Sequence, residues 1–70
     1  MKTYRVEEMD GQTVFASHEA KAKTPFEAAE KALGLKVTLR GEATKWVRVV
    51  ELIDNKPTRL FEYRALGIRG

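Results

Sequence analysis

The stretch TPFEAAEKALG, residues 24–34, constrains the fold more than any other part of this sequence. Thr24 is suited to cap a helix with its hydroxyl, and Pro25 fits the first helical position, where its missing N–H is no loss. Glu27 completes a capping box with Thr24, and Gly34 is a natural left-handed stop. The pattern therefore predicts a helix over about residues 25–33. Because so short a helix is not stable alone in water, it must lie on a sheet.

One side of the predicted helix is apolar. Phe26, Ala29 and Leu33 form its stripe, and Ala28 and Ala32 widen it. Since small side chains allow close approach, we expect this stripe to pack directly on the sheet.

Two strands, residues 3–9 and 12–23, precede the helix, and the Asp-Gly pair at 10–11 predicts a hairpin between them. A two-residue loop pairs Met9 with Gln12 and puts Val6 beside Phe15. A three-residue loop, 9–11, pairs Val6 with Val14 instead. We favour the second register, because it collects one apolar face.

In that register one side of the hairpin carries small and apolar residues throughout, since side chains alternate along a strand. These are Tyr4, Val6, Val14, Ala16, His18, Ala20 and Ala22. Phe15 then lies on the other side of the sheet, opposite Arg5.

A second hairpin is predicted from residues 44–53 and 58–65 around the turn DNKP. A loop of residues 54–56 pairs Glu51 with Arg59, Arg48 with Glu62, and Trp46 with Arg64. A loop of residues 54–57 turns Trp46 towards the helix. It also places Arg48 in the middle of the apolar side of the hairpin that faces the helix. We favour the first register, because it buries no charge. Residues 35–39 fit either a short edge strand, ended by Gly41, or an irregular connection.

These elements predict a single two-layer α+β domain, residues 1–70, in which the one helix covers one face of an antiparallel sheet. The order is ββαββ, or ββαβββ when residues 35–39 form a strand, and residues 66–70 are predicted to be a loose tail. The predicted core consists of Tyr4, Val6, Val14, Ala16, Val47, Val49, Phe61 and Tyr63, closed by Phe26, Ala29 and Leu33.

The sheet surface turned away from the helix, here called the open face, has no cover within the chain. It is predicted to carry aromatic, aliphatic and charged side chains together: Arg5, Phe15, Trp46, Arg48, Val50, Leu60, Glu62 and Arg64. This is more apolar than a solvated face needs to be. All of these residues except Glu62 form the candidate interaction surface.

Composition narrows the classes of function. The chain has 70 residues, no cysteine and a formal charge of +3, with lysine and arginine scattered rather than concentrated. Disulfides and thiolate metal sites are therefore excluded. The N-terminus lacks the apolar run of a signal peptide, and no stretch approaches a membrane span. We expect a cytoplasmic protein, and in general terms the chain resembles short stand-alone bacterial proteins.

Nothing in the sequence indicates catalysis. Ser17 and the only histidine, His18, are neighbours on a strand and point to opposite faces. Glu7, Glu8 and Asp10 cluster at the predicted hairpin end, where charge favours solubility. Glycine-rich phosphate-binding motifs are absent from the sequence. We therefore expect a protein that is not an enzyme and that holds no cofactor or metal.

Two functions fit the open face. The first is a small protein-interaction module, homodimeric through that face, because Trp, Phe and Arg are enriched at interfaces. The alternative is weak binding of single-stranded nucleic acid, with bases stacked on the aromatic rings and phosphates held by arginine.

Overall fold

The computed structural model describes residues 1–66, which form one sheet and one helix. The elements are β1 (Lys2–Asp10), β2 (Thr13–Ala22), α1 (Pro25–Leu33), β3 (Val37–Leu39), β4 (Lys45–Ile53) and β5 (Lys56–Ala65). All paired strands are antiparallel, in the order β2-β1-β4-β5-β3. The α+β prediction is confirmed in its ββαβββ form, because residues 37–39 pair with β5. The predicted loose tail lies, apart from Leu66, outside the described residues.

The bounds of α1 follow from its end residues as predicted. Thr24 Oγ1 accepts the Glu27 N–H at 3.1 Å, and Glu27 Oε1 accepts the Lys23 N–H at 2.9 Å. Gly34 has a φ of 68°, and its N–H donates to the Glu30 carbonyl. The helix runs from the β2 edge of the sheet to β3 at the opposite edge, so it crosses the sheet.

The core lies between α1 and the sheet, and most of it was predicted. It consists of Tyr4, Val6, Ala22, Ala28, Ala29, Val37, Val47, Val49 and Tyr63, with Ala20, Ala32, Leu33 and Phe61 packed against it. Phe26 is more exposed than predicted, and its ring meets Tyr63 edge-on at 5.8 Å between centroids.

The predicted register of the first hairpin is wrong. The loop is Gly11–Gln12, and Val6 pairs with His18 rather than with Val14. The loop lies further along the chain because Asp10 stays in β1, where it pairs with Lys45 of β4. A turn prediction that considers only the hairpin does not include this third strand.

A β-bulge at Phe15 changes which β2 side chains share a face. Ala16 pairs with Glu8 but Val14 pairs with Met9, so Phe15 is the extra residue. Ala20 and Ala22, which were predicted for the apolar face but not for the core, reach the core, whereas Val14 and Ala16, which were predicted for the core, lie outside it. The predicted position of Phe15, opposite Arg5, is also wrong, because Glu19 occupies it.

The predicted register of the second hairpin is confirmed, although its loop is shorter than expected. Arg48 pairs with Glu62, and Glu51 pairs with Arg59. The loop is Asp54–Asn55, with both residues at positive φ, as in a type I′ turn. The extra residue is Thr58 in β5, whose hydroxyl donates to the Glu51 carbonyl at 2.9 Å.

Two polar groups lie on the helix side of the sheet among the apolar ones. Glu51 is buried and has Lys2 Nζ at 3.7 Å. The Tyr4 hydroxyl is buried and lacks a hydrogen-bond partner among residues 1–66. Burial raises the pKa of Tyr4 above 10.0, and the Glu51 carboxylate raises it further. Burial and the neighbouring Tyr4 likewise raise the pKa of Tyr63.

These raised pKa values predict a loss of stability in alkali. The folded protein keeps the Tyr4 phenol protonated, whereas the unfolded chain ionises it near its ordinary pKa. The contribution of the protonated Tyr4 phenol to the free energy of unfolding is therefore complete below about pH 10. It is lost as the pH rises through the pKa of Tyr4 in the folded protein. We expect the free energy of unfolding of Tyr4→Phe to fall less steeply with pH than that of the wild type, in urea titrations from about pH 8 to about pH 11. At neutral pH the substitution should change stability by less than about 1 kcal/mol, because it removes an unpaired hydroxyl. Equal pH slopes for wild type and variant would contradict the assignment, and Val6→Ala serves as a control without a titrating group.

Candidate interaction surfaces

Trp46 lies on the open face, as the favoured register predicts, but it is only 7% exposed. The guanidinium of Arg40 stacks on its ring, with Cζ 3.9 Å from the centroid. Its Nε1–H donates to the Gly11 carbonyl at 2.7 Å. Met9, its pairing partner on β1, is also buried. The ring is therefore packed within the chain rather than presented as a free platform.

The cation on Trp46 was expected to be Arg64, and this expectation is wrong. Arg64 pairs with Thr38 of β3 and is exposed. Arg40 follows β3, and its Nε donates to the Ala43 carbonyl at 3.0 Å while Nη1 lies 3.2 Å from Glu62 Oε1. Sequence reasoning missed Arg40, because only the pairing of β3 with β5 brings it to this side of the sheet.

An ion triad occupies the middle of the open face. Glu7 is buried, at 7% exposure, and its two carboxylate oxygens have different arginine partners. Oε1 accepts from Arg48 Nε at 2.6 Å, and Oε2 accepts from Arg5 Nε at 3.1 Å. Two of the three arginines of the predicted surface, Arg5 and Arg48, therefore share one carboxylate, and the triad keeps one net positive charge.

The other members of the predicted surface differ in accessibility. Val50 is 2% exposed, whereas Leu60, its partner on β5, is 62% exposed. Phe15 is exposed but belongs to a different part of the molecule. Within the predicted set, Leu60 is the apolar side chain that the open face presents to solvent.

The carboxylates near the first turn were expected to form one cluster that favours solubility. Instead, each carboxylate has its own partner. Glu7 joins the two arginines, Glu8 Oε2 lies 2.7 Å from His18 Nε2, and Asp10 lies 4.0 Å from Lys45. Over residues 1–66 the acidic and histidine side chains form no group of three that could hold a metal ion.

An uncovered corner lies on the helix side, where α1 ends. Phe15, Leu33 and Leu35, here called the apolar corner, line a cavity of about 130 Å³ together with Val47 and Ala65. Phe15 is 59% exposed, and Leu35 is also exposed. Sequence reasoning assigned Phe15 to the opposite face and did not consider Leu35 as part of a surface.

Comparison with protein-family models, curated proteins and solved structures finds no match for this chain. Within the described residues, α1 is too short to cross a membrane.

Proposed function

We propose that this chain is a non-catalytic interaction module that binds a second copy of itself through the apolar corner and the adjoining edge of β2. The observation that carries the proposal is the exposure of Phe15, on the edge strand β2, at a mainly apolar cavity that Glu8 and Lys45 also line. A large aromatic side chain in such a position is typical of the anchors that dominate protein interfaces.

The proposed contact lies away from the open face, which the sequence favoured. Trp46 and Val50 are already buried, so an interface there would gain little apolar area from them. Arg5 and Arg48 hold Glu7, which also weakens the alternative of nucleic-acid binding, because phosphates would compete with that carboxylate.

A second copy is the occupant that symmetry favours. Most soluble oligomers are closed homo-oligomers, and a short domain gains stability from a twofold partner. Phe15 of the apolar corner lies near the start of β2, and α1 begins three residues after the end of β2. A twofold axis perpendicular to the sheet, at the β2 edge, brings the start of β2 in one copy towards the end of β2 in the other.

The test is the oligomeric state of matched variants by sedimentation equilibrium. We expect a reversible wild-type dimer, and Phe15→Thr, which keeps a strand-forming residue, should weaken it about tenfold or more. Leu60→Thr is the control, since Leu60 is equally exposed but lies on the open face. A wild type that stays monomeric at millimolar concentration would exclude self-association. Dissociation by Leu60→Thr alone would assign the interface to the open face instead.

A further inference from the structure

β2 is an edge of the sheet with one side unpaired. It is ten residues long, and its only strand neighbour within the described chain is β1. Such an edge is a template for another strand. Lys31 Nζ already donates to the Lys21 carbonyl at 2.8 Å, but a carbonyl oxygen has two lone pairs and can accept a second donor.

Two charges on β2 remain without an ion pair among residues 1–66. Glu19 and Lys21 are both exposed and lie two residues apart, so they share the open face. Every other charged residue of β1 and β2 on that face, Arg5 and Glu7, is paired within the chain. These two opposite charges are therefore available to a partner.

The spacing of the two charges makes the edge complementary to itself. In an antiparallel pair of β2 strands centred on Ala20, Glu19 of each copy lies opposite Lys21 of the other. Opposite charges in such positions are favourable, and like charges are unfavourable. A pair centred on Glu19 would instead set Glu19 against itself, so the charges select one register.

The same register brings the second copy towards Phe15 of the apolar corner. Because β2 ends at Ala22, pairing centred on Ala20 joins residues 18–22 of the two copies and leaves Phe15 of each copy beyond this ladder, on the side where the other copy's chain leads into α1. The twofold axis is perpendicular to the sheet, so both helices lie on one side of the joined sheet.

We infer that two copies join through antiparallel pairing of their β2 edges, centred on Ala20, to form one continuous sheet. This inference rests on the proposed self-association and specifies its geometry. The second copy supplies Lys21 and Glu19 as charge partners, and the chain that leads into its α1 lies on the side of Phe15.

A charge-swap cycle tests the register. Glu19→Lys and Lys21→Glu should each weaken the dimer about tenfold, because each creates two like-charge pairs across the symmetric interface. The double variant restores opposite charges, so its dissociation constant should return to within about twofold of wild type. Glu42→Lys and Lys36→Glu, at exposed positions outside β2, make the same changes of net charge and should have little effect.

The outcomes separate this geometry from self-association in general. Restoration by the double variant, together with slower hydrogen exchange of β2 amides as concentration rises, supports the β2 edge. If the double variant is as weak as the single variants while Phe15→Thr still dissociates the dimer, self-association stands but this pairing is wrong. A monomeric wild type would overturn both.

Discussion

Trp46→Ala should destabilise the monomer by about 3–5 kcal/mol, the range for removing a buried tryptophan. The substitution removes the ring under Arg40, the N–H that bonds Gly11 and the cover over Met9. A chain of 70 residues has a total stability of roughly 4–10 kcal/mol. The variant is therefore expected to be largely unfolded or close to its midpoint at room temperature. Urea unfolding followed by circular dichroism measures the effect, at protein concentrations too low for the proposed dimer to form.

Trp46→Phe separates the ring from its hydrogen bond. Phenylalanine keeps an aromatic face for Arg40 but leaves the Gly11 carbonyl without its indole donor, so it should cost about 1–2 kcal/mol. Leu60→Ala is the control on the same face and should change stability by less than about 0.5 kcal/mol, since Leu60 is exposed. If Trp46→Ala costs no more than Leu60→Ala, Trp46 is not packed as described.

Local sequence signals predicted α1 from end to end. The bonds that define its ends join residues within four positions of one another: Thr24 with Glu27, and Gly34 with Glu30. No tertiary information was needed to find them. The second hairpin was also predicted in register, because only one of the two alternatives keeps Arg48 away from the core.

The first hairpin could not be predicted from its own residues. Its loop position depends on β4 and on the residue before it: Lys45 of β4 pairs with Asp10, and the Thr44 carbonyl accepts the Gly11 N–H. The bulge at Phe15 then changes the alternation of β2. A single extra residue moved Val14 out of the predicted core and moved Phe15 to the apolar corner.

Apart from Phe15, the residues of the open face were predicted on the correct side of the sheet, but their contacts were not. Pairing of β1 with β4 sets Glu7 opposite Arg48, and this pairing joins strands that are far apart in the sequence. Arg40 comes from a third segment, beyond β3. Alternation shows which side chains share a face, but only the strand order shows which of them neutralise one another.

Glu7→Gln should destabilise the monomer by about 2–3 kcal/mol. Breaking a fully buried ion pair costs about 3–5 kcal/mol, and the lower figure is expected because the arginine side chains are 41% and 32% exposed and stay partly hydrated. Glutamine has the shape of glutamate, so cavity formation does not contribute. The substitution leaves Arg5 and Arg48 close together without the carboxylate between them. The free energy of unfolding from urea titration measures the loss.

Glu62→Gln is the matched control, since Glu62 also pairs with an arginine on the open face but its side chain is 53% exposed. An exposed pair contributes about 0–1 kcal/mol and is screened by salt, whereas the buried Glu7 pairs are screened much less. We therefore expect the cost of Glu7→Gln to persist in molar salt and that of Glu62→Gln to vanish. Double-mutant cycles with Arg48→Met and Arg5→Met should give the larger coupling for Arg48, whose bond to Glu7 is the shorter one. Equal small costs for both glutamates would show that Glu7 is hydrated in solution rather than held between the two arginines.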